Sequence, residues 1–368
     1  MKRRKFISSL SLAAVGVVVP TTAYSMHKSD NYKPVKSSVT YNPILAPVPG
    51  MEDYEGTPLD GKGLFINEEF VFWPKLGELF KWKTSSNPYK EEKRNATDKL
   101  EVINRSSLDE LADNSITWLG HASYLLHLGG MRILIDPILT EPGFFLRRNS
   151  DLPFKLADFI NIDYILISHN HRDHCDKESI QLLAKQNPET NWLCGLGLDS
   201  LLLNNWTGSN KIQAAGWYQQ YQLRSDLTIS YLPTRHWSRR GLNDTNASLW
   251  GAFMIESEGK KIYFGGDSGY GSHLKQVNKL FGKVDYYIAG IGAFAPRWFM
   301  AASHMHPEEV AQSCLDLQAD NLLPMHFGTF DLSDEPLLEP LRLIRQLKAE
   351  DNLSSNLLTS ALGEDLKI

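Results

Sequence analysis

The sequence predicts an α/β fold, two β-sheets flanked by helices, and three observations carry that reading. Short apolar runs recur from residue 116 to residue 323, segments of helical composition fall between them, and a His or Asp repeatedly follows directly after a run. Length is permissive, since 368 residues hold roughly two average domains, or one α/β unit of ~250 residues with an extension. Hydrophobic residues at 42% and charged residues at 22% supply an ordinary globular core and exclude disordered and fibrous classes.

In chain order, residues 1–25 come first. Lys2-Arg3-Arg4-Lys5 precede an apolar run from Phe6 to Val19 and a stretch of small residues after Pro20, the pattern of an export signal. The run is too short to cross a bilayer core of ~30 Å as a helix. Paired arginines followed by Phe6 are similar to a twin-arginine signal, with Lys2 where Ser or Thr is usual. Export of a folded protein to the periplasm or cell envelope suits a metal-loaded enzyme. These residues hold four basic side chains and no acid, so the chain without them carries −9 against −5 for the whole. An acidic chain of this kind is excluded as a binder of nucleic acid by phosphate neutralisation. Three cysteines, Cys175, Cys194 and Cys314, give no disulfide framework, and Cys175 reads as a small buried residue.

Residues 26–114 combine Pro43, Pro47, Pro49 and Gly50 with aromatic Phe70, Phe72, Trp73, Phe80 and Trp82 and a charged stretch at 90–99. No helical or strand period is sustained, so this segment is expected to wrap a larger body rather than fold alone. The main domain spans 115–368. Strands over 116–128 and 131–135 are joined by Gly129-Gly130, a hairpin signal. A strand over 164–168, a helix over 177–185 and a strand over 192–194 follow. Further on come strands over 227–232, 250–255 and 261–264, a helix over 273–280, a strand over 284–289, a helix over 307–317 and a short strand over 321–323. No internal repeat of obvious identity and no low-complexity tract is present.

The chemistry lies at strand ends. His169-Asn170-His171-Arg172-Asp173-His174 follows the run at 164–168, which puts three of the chain's 11 histidines and a carboxylate within six residues. Such a cluster on a loop fed by a buried strand is the material of a dinuclear metal site. His169 and His171, two apart, can turn toward one ion, and Asp173 and His174, past the bend, toward a second. More ligands are needed than one loop supplies, and three candidates each follow an apolar segment: His236, Asp267 and His326. Asp267 stands out because Gly265-Gly266 before it let the backbone approach closely.

With these positions fixed, a family resemblance is plain. The strings Thr117-Trp118-Leu119-Gly120-His121-Ala122-Ser123, Ile135-Asp136-Pro137, the histidine loop, Arg235-His236-Trp237, Gly266-Asp267-Ser268-Gly269-Tyr270, Gly292 to Met300 and Met325-His326-Phe327-Gly328-Thr329-Phe330 resemble the metallo-β-lactamase-fold superfamily. More narrowly they resemble the N-acyl-phosphatidylethanolamine-hydrolysing phospholipases D and their bacterial relatives. The likeness covers about residues 116–330, with a fainter echo at 61–72.

The resemblance implies an αββα sandwich with the site along one edge of the inner sheets. It implies that His169, His171 and His236 hold one ion, that Asp173, His174 and His326 hold the other, and that Asp267 bridges them. Asp136 would accept a hydrogen bond from a ligand histidine, and His121 and Ser123 would line the same floor. Zinc is the expected metal, because iron in this superfamily goes with a glutamate where His171 stands. Two divalent ions would share a hydroxide that attacks phosphorus or a carbonyl carbon, with Asp173 orienting it.

His304 opens a helix and would touch a substrate phosphate or carbonyl. His306 departs from the family's usual Asp or Asn. Arg297, Trp298 and Phe299 would offer a cation and an apolar lip to a lipid, and Tyr54, Phe70, Phe72 and Trp73 are candidates for membrane-facing surface or for core. The expected function is a zinc-dependent phosphodiesterase of phospholipase D type acting on a lipid or small-molecule substrate, with peripheral membrane contact and no nucleic acid. The rivals are a lactonase or other carbonyl-ester hydrolase on the same site, and a non-catalytic metal-binding protein of the envelope. Head group and oligomeric state are not written in the sequence.

Overall fold

Each of two large sheets is antiparallel on one side and parallel on the other. In the computed structural model, which describes residues 32–143 and 146–368, the first sheet has the order Asp365–Lys367, Ser115–Gly120, Ser123–Leu128, Met131–Ile135, Tyr164–Ile167, Asn191–Gly195, Ile212–Ala215. Its pairings are antiparallel as far as Met131–Ile135 and parallel beyond. The second sheet runs Asn356–Leu357, Asn321–Met325, Tyr286–Gly290, Lys260–Phe264, Ala252–Ser257, Leu227–Leu232, Gln219–Gln220, Ala46–Pro47. Its first four strands are mutually parallel and the rest alternate. The residues read as an export leader lie outside the described part of the chain.

Side-chain alternation builds the layers. In the first sheet Ile116, Trp118, Tyr124, Leu126, Ile133, Ile135, Leu166 and Leu193 enter the core shared with Ile229, Tyr231, Phe253 and Ile255 of the second sheet. Their neighbours Leu119, Leu125, Leu134, Ile165, Ile167, Trp192 and Cys194 join a separate cluster with Ile180 and Leu183 of helix Lys177–Gln186. Both faces of these strands are therefore covered, which is why they read as continuous apolar runs rather than alternating ones. Helices His273–Phe281, Pro307–Leu317 and Glu339–Ala349 add Leu274, Val277, Val310, Cys314 and Ile344 to the cluster that holds the second sheet. The architecture is an αββα sandwich.

The expected strand over 116–128 is two strands, reversed at His121-Ala122. Gly120 at φ 106° and His121 at φ 52° make the turn, and a Cβ at Gly120 would lie 2.7 Å from Arg148 Nη2. Composition hid the break because the turn itself is buried. The segment before residue 115 also holds more regular structure than its irregular period suggested. Lys36–Thr40 pairs with Thr57–Asp60, Ala46–Pro47 adds an edge strand to the second sheet, and Leu76–Thr84 and Lys90–Asn95 are helices. Its aromatics pack on the body: Trp82 stacks on Phe299 at 5.0 Å and donates from Nε1 to Asp334, and Tyr54 meets Tyr218.

The strand directions gather the chemistry-bearing residues at one edge. Strands Ser115–Gly120, Met131–Ile135 and Tyr164–Ile167 run the same way, and so do Leu227–Leu232, Lys260–Phe264 and Asn321–Met325. Their C-terminal ends deliver His121, Asp136, His169, His236, Asp267 and His326 respectively.

Candidate metal centre

Strand Tyr164–Ile167 ends in a loop held from all sides. Ser168 donates its amide to Asp136 Oδ1 at 2.7 Å and its hydroxyl to Asp136 Oδ2 at 2.5 Å, while Tyr231 donates its hydroxyl to Ser168 O at 2.8 Å. The turn closes through His174 N and Cys175 N on His171 O. Arg240 donates to the carbonyls of Asn170 and Cys175, and Asp176 caps the next helix by accepting from Ser179 N. Three site residues, His121, Asp136 and His326, sit in the left-handed region at φ 52°, 42° and 66°. Each costs about 1–3 kcal/mol unless its surroundings impose it, and such residues concentrate where side chains must be aimed.

The aimed side chains form two groups, in each of which the donor atoms lie within 4.8 Å of one another: His169, His171, His236 and Asp267, and His121, Asp173, His174 and His326. In the first, His171 Nδ1 is 2.9 Å from His169 Nε2 and 3.1 Å from His236 Nε2. In the second, Asp173 Oδ2 is 3.0 Å from His121 Nε2, 3.5 Å from His326 Nε2 and 3.7 Å from His174 Nε2. Asp267 Oδ2 faces both groups, at 3.1 Å from His326 Nε2, 3.3 Å from His174 Nε2 and 3.8 Å from His236 Nε2. Cys175 is buried with a thiol pushed up to about 12, and takes no part.

These donors fit divalent cations on two counts. His174 Nε2 and His326 Nε2, despite their approach to Asp267 Oδ2, and Asp267 Oδ1 are buried without a well-directed hydrogen bond among the described residues, an arrangement that is costly unless something else satisfies them. Three outward nitrogens, by contrast, are tied: His174 Nδ1 to Asp136 Oδ2 at 2.8 Å, His169 Nδ1 to Ser168 Oγ at 2.9 Å and His236 Nδ1 to Ser303 O at 3.2 Å, while His326 Nδ1 finds no partner among the described residues. A ring bonded on one nitrogen presents the other to a metal. The clusters can therefore bind metal ions.

Electrostatics point the same way. Burial works against the charged forms of Asp173 and Asp267, yet His174 and its neighbours hold both carboxyls well below the usual range. Burial likewise opposes protonation of His326, and the two carboxylates overcome it, raising the ring to about 9. His169 and His236 are held well below the usual imidazole range by burial first, and His171 falls to about 4 for the same reason. Two buried, ionised carboxylates call for compensating positive charge.

The remaining residues singled out from the sequence divide. His304 stands at the rim with its side chain 17% exposed, Nδ1 3.9 Å from Asp267 Oδ2, and burial brings it down to about 4. Ser123 holds the Asp136 turn instead of facing the donors, donating to Asp136 O at 2.7 Å and accepting from Ile138 N at 3.0 Å. Arg297 is not the free cation expected: Nη2 pairs with Glu309 at 2.6 Å and Nη1 donates to His304 O at 3.0 Å, so its charge braces the His304 turn. Phe299 is stacked on Trp82, whereas Trp298 is 50% exposed beneath Lys81 Nζ. His306 caps the helix as Asp or Asn would, accepting from Glu308 N while its own amide donates to Glu309. Sequence reasoning gave no role to Ser168, Arg148, Arg240, Thr329 or Trp237, whose ring lies 4.7 Å from His171. Of these, Ser168 and Trp237 had a signal in their places beside His169 and His236, and Thr329 in the string after His326.

Residues 131–327, more than half of the chain, match the sequence profile of the β-lactamase superfamily domain. The chain belongs to the β-lactamase superfamily. It is a metal-dependent hydrolase of that superfamily, and relatives of known name lie within it. The N-acyl-phosphatidylethanolamine-hydrolyzing phospholipase D 1 of Caenorhabditis elegans is 29% identical over 342 residues, covering 87% of this chain and 96% of the relative. The mitochondrial enzyme of the same name from Saccharomyces cerevisiae is 33% identical over 243 residues, 63% of this chain and 51% of that protein. Among solved structures, the isothiocyanate hydrolase from Delia radicum gut bacteria shares the fold, with a TM-score of 0.56 at 18% identity over 69% of this chain and 99% of its own.

Proposed function

We propose that this superfamily member is a dinuclear zinc phosphodiesterase that cleaves N-acyl-phosphatidylethanolamine-like lipids in the manner of a phospholipase D. The observation that carries the reading is Asp267, whose one carboxylate oxygen lies within 3.8 Å of His174, His236 and His326 from both donor groups. In the proposal His169, His171 and His236 hold one ion, Asp173, His174 and His326 the other, and Asp267 serves both. When bound, such a pair supplies a water of lowered pKa and positive charge opposite the entering and leaving oxygens of a displacement.

The chain's own groups do the rest. Ionised Asp173 accepts a hydrogen bond from the attacking water and orients its lone pair toward phosphorus. His304, neutral because burial brings it down to about 4, donates a hydrogen bond to a phosphoryl oxygen at the rim. As water oxygen bonds to phosphorus, the bond to the N-acylethanolamine oxygen breaks, and that oxygen leaves with a proton from the attacking water.

A lipid substrate draws support from the full-length alignment with the nematode phospholipase D and from the surface beside the site. Helix Leu76–Thr84 packs on helix Arg297–Met300, and Phe80 and Trp298 are 70% and 50% exposed beside Lys81. Apolar tips beside a lysine suit peripheral contact with a lipid surface. No helix among the described residues is long and apolar enough to cross a membrane. The proposal also places the protein in the cell envelope, on the basic and then apolar character of residues 1–25. The test is release of phosphatidic acid from N-acyl-phosphatidylethanolamine by purified protein, expected for the parent and lost in His169→Ala. Unchanged turnover in that variant, or hydrolysis of lactones with none of diesters, overturns the reading.

A further inference from the structure

Of the imidazoles gathered at the strand ends, His121 is the one to which the two-ion assignment gives no task, although its ring is fully buried among the donors. Its stance differs from that of its neighbours: His326 shares a buried, unpartnered Nδ1 but makes no hydrogen bond through Nε2, which lies 3.5 Å from Asp173 Oδ2. His169, His174 and His236 tie their outward Nδ1 to Ser168, Asp136 and Ser303 and leave Nε2 turned inward. The Nδ1 of His121 is buried and reaches no partner among the described residues, while Nε2 lies 3.0 Å from Asp173 Oδ2. A ring with its proton on Nε2 satisfies this geometry, since a proton on Nδ1 would be stranded without an acceptor.

The backbone around His121 is locked to keep that pose. Its amide donates to Thr329 Oγ1 at 2.7 Å, and its carbonyl accepts from Trp118 Nε1 at 2.9 Å and His326 N at 3.1 Å. Arg148 holds the carbonyl two residues earlier, Leu119 O, at 2.8 Å. Four bonds thus impose the left-handed backbone at φ 52°, which the residue would not adopt unaided. The bond from His326 N also couples the turn to a strand of the opposite sheet.

We propose that His121 is a positioning residue: its neutral ring donates Nε2–H to Asp173 Oδ2 and fixes the orientation in which that carboxylate meets the second ion. The inference rests on the assignment of Asp173, His174 and His326 to that ion. Without the donor the carboxylate swings and the second ion loosens. The first ion keeps its affinity, because His169, His171 and His236 make no hydrogen bond with His121.

Zinc titration of the full chain against a competing chelator reads the two affinities separately. His121→Leu is expected to weaken the second zinc by about 10–100-fold, the range for removal of a group that orients a ligand, and to leave the first unchanged. His121→Gln, whose amide reaches the Nε2 position, is expected to restore the second zinc toward the parent value. Equal second-site affinity in parent and His121→Leu overturns the proposal. So does a His121→Gln as weak as His121→Leu, and X-ray absorption that then shows one nitrogen fewer around zinc makes His121 a ligand instead. If His121→Leu fails to fold, His121→Asn replaces it: the shorter amide falls short of Asp173, and affinity equal to that of His121→Gln overturns the proposal. A parent chain that binds fewer than two zinc ions overturns the two-ion assignment and this inference together, a result distinct from all the others.

Discussion

Asp136 takes three hydrogen bonds, from Ser168 N, Ser168 Oγ and His174 Nδ1, and thereby sets both the start of the histidine loop and the direction of one ring. Asp136→Asn keeps the volume and removes the charge, and is expected to cost 10–100-fold in metal affinity or turnover, on the order seen when such partners are altered. Equilibrium dialysis with zinc checks this. A second prediction concerns acid. Burial, aided by Arg235, pushes His273 down to about 3, so between pH 6.5 and 3 the unfolded chain binds a proton that the folded chain refuses. The contribution to stability is whole above pH 6.5 and falls by about 1.4 kcal/mol per unit as the pH drops toward 3. His273→Gln should therefore lose about 2 kcal/mol less than the parent between pH 7 and pH 5, read by urea unfolding. Equal losses refute the assignment.

At the scale of elements, the turns matter as much as the strands they end. Gly120→Ala places a Cβ 2.7 Å from Arg148 Nη2 at a φ of 106°, and is expected to lower stability by about 1–3 kcal/mol and to displace His121. Thermal unfolding measures the first effect, and zinc binding the second. Asp176→Ala removes the cap of helix Lys177–Gln186 and should cost about 1 kcal/mol in urea unfolding. These same elements show what sequence makes visible. Strands Tyr164–Ile167 and Asn321–Met325 were readable because both faces are buried and a His follows each. Short strands such as Gln219–Gln220 and Asp365–Lys367 were not, being two or three mixed residues whose pairing depends on distant neighbours. Ser168, Arg148 and Thr329 received no role for a related reason: they are common residue types whose roles arise from contacts across the fold, as with Thr329 and His121, 208 positions apart.

For the molecule as a whole, the donors come from both sheets: His121, His169, His171, Asp173 and His174 from the first, and His236, Asp267 and His326 from the second. Ions held there would bind the native state and not the unfolded chain. At free zinc 1,000-fold above its dissociation constant the native state gains about 4 kcal/mol per site. Thermal unfolding with and without a chelator is expected to show a lower midpoint on metal removal, and an unchanged midpoint would mean that the cluster holds no ion in solution. The distribution of donors also orders events at the ribosome. A nascent chain released only as far as residue 320 possesses the complete histidine loop but not His326, so neither the second group of ligands nor its tie to His121 can form. Full loading therefore waits for nearly the whole polypeptide.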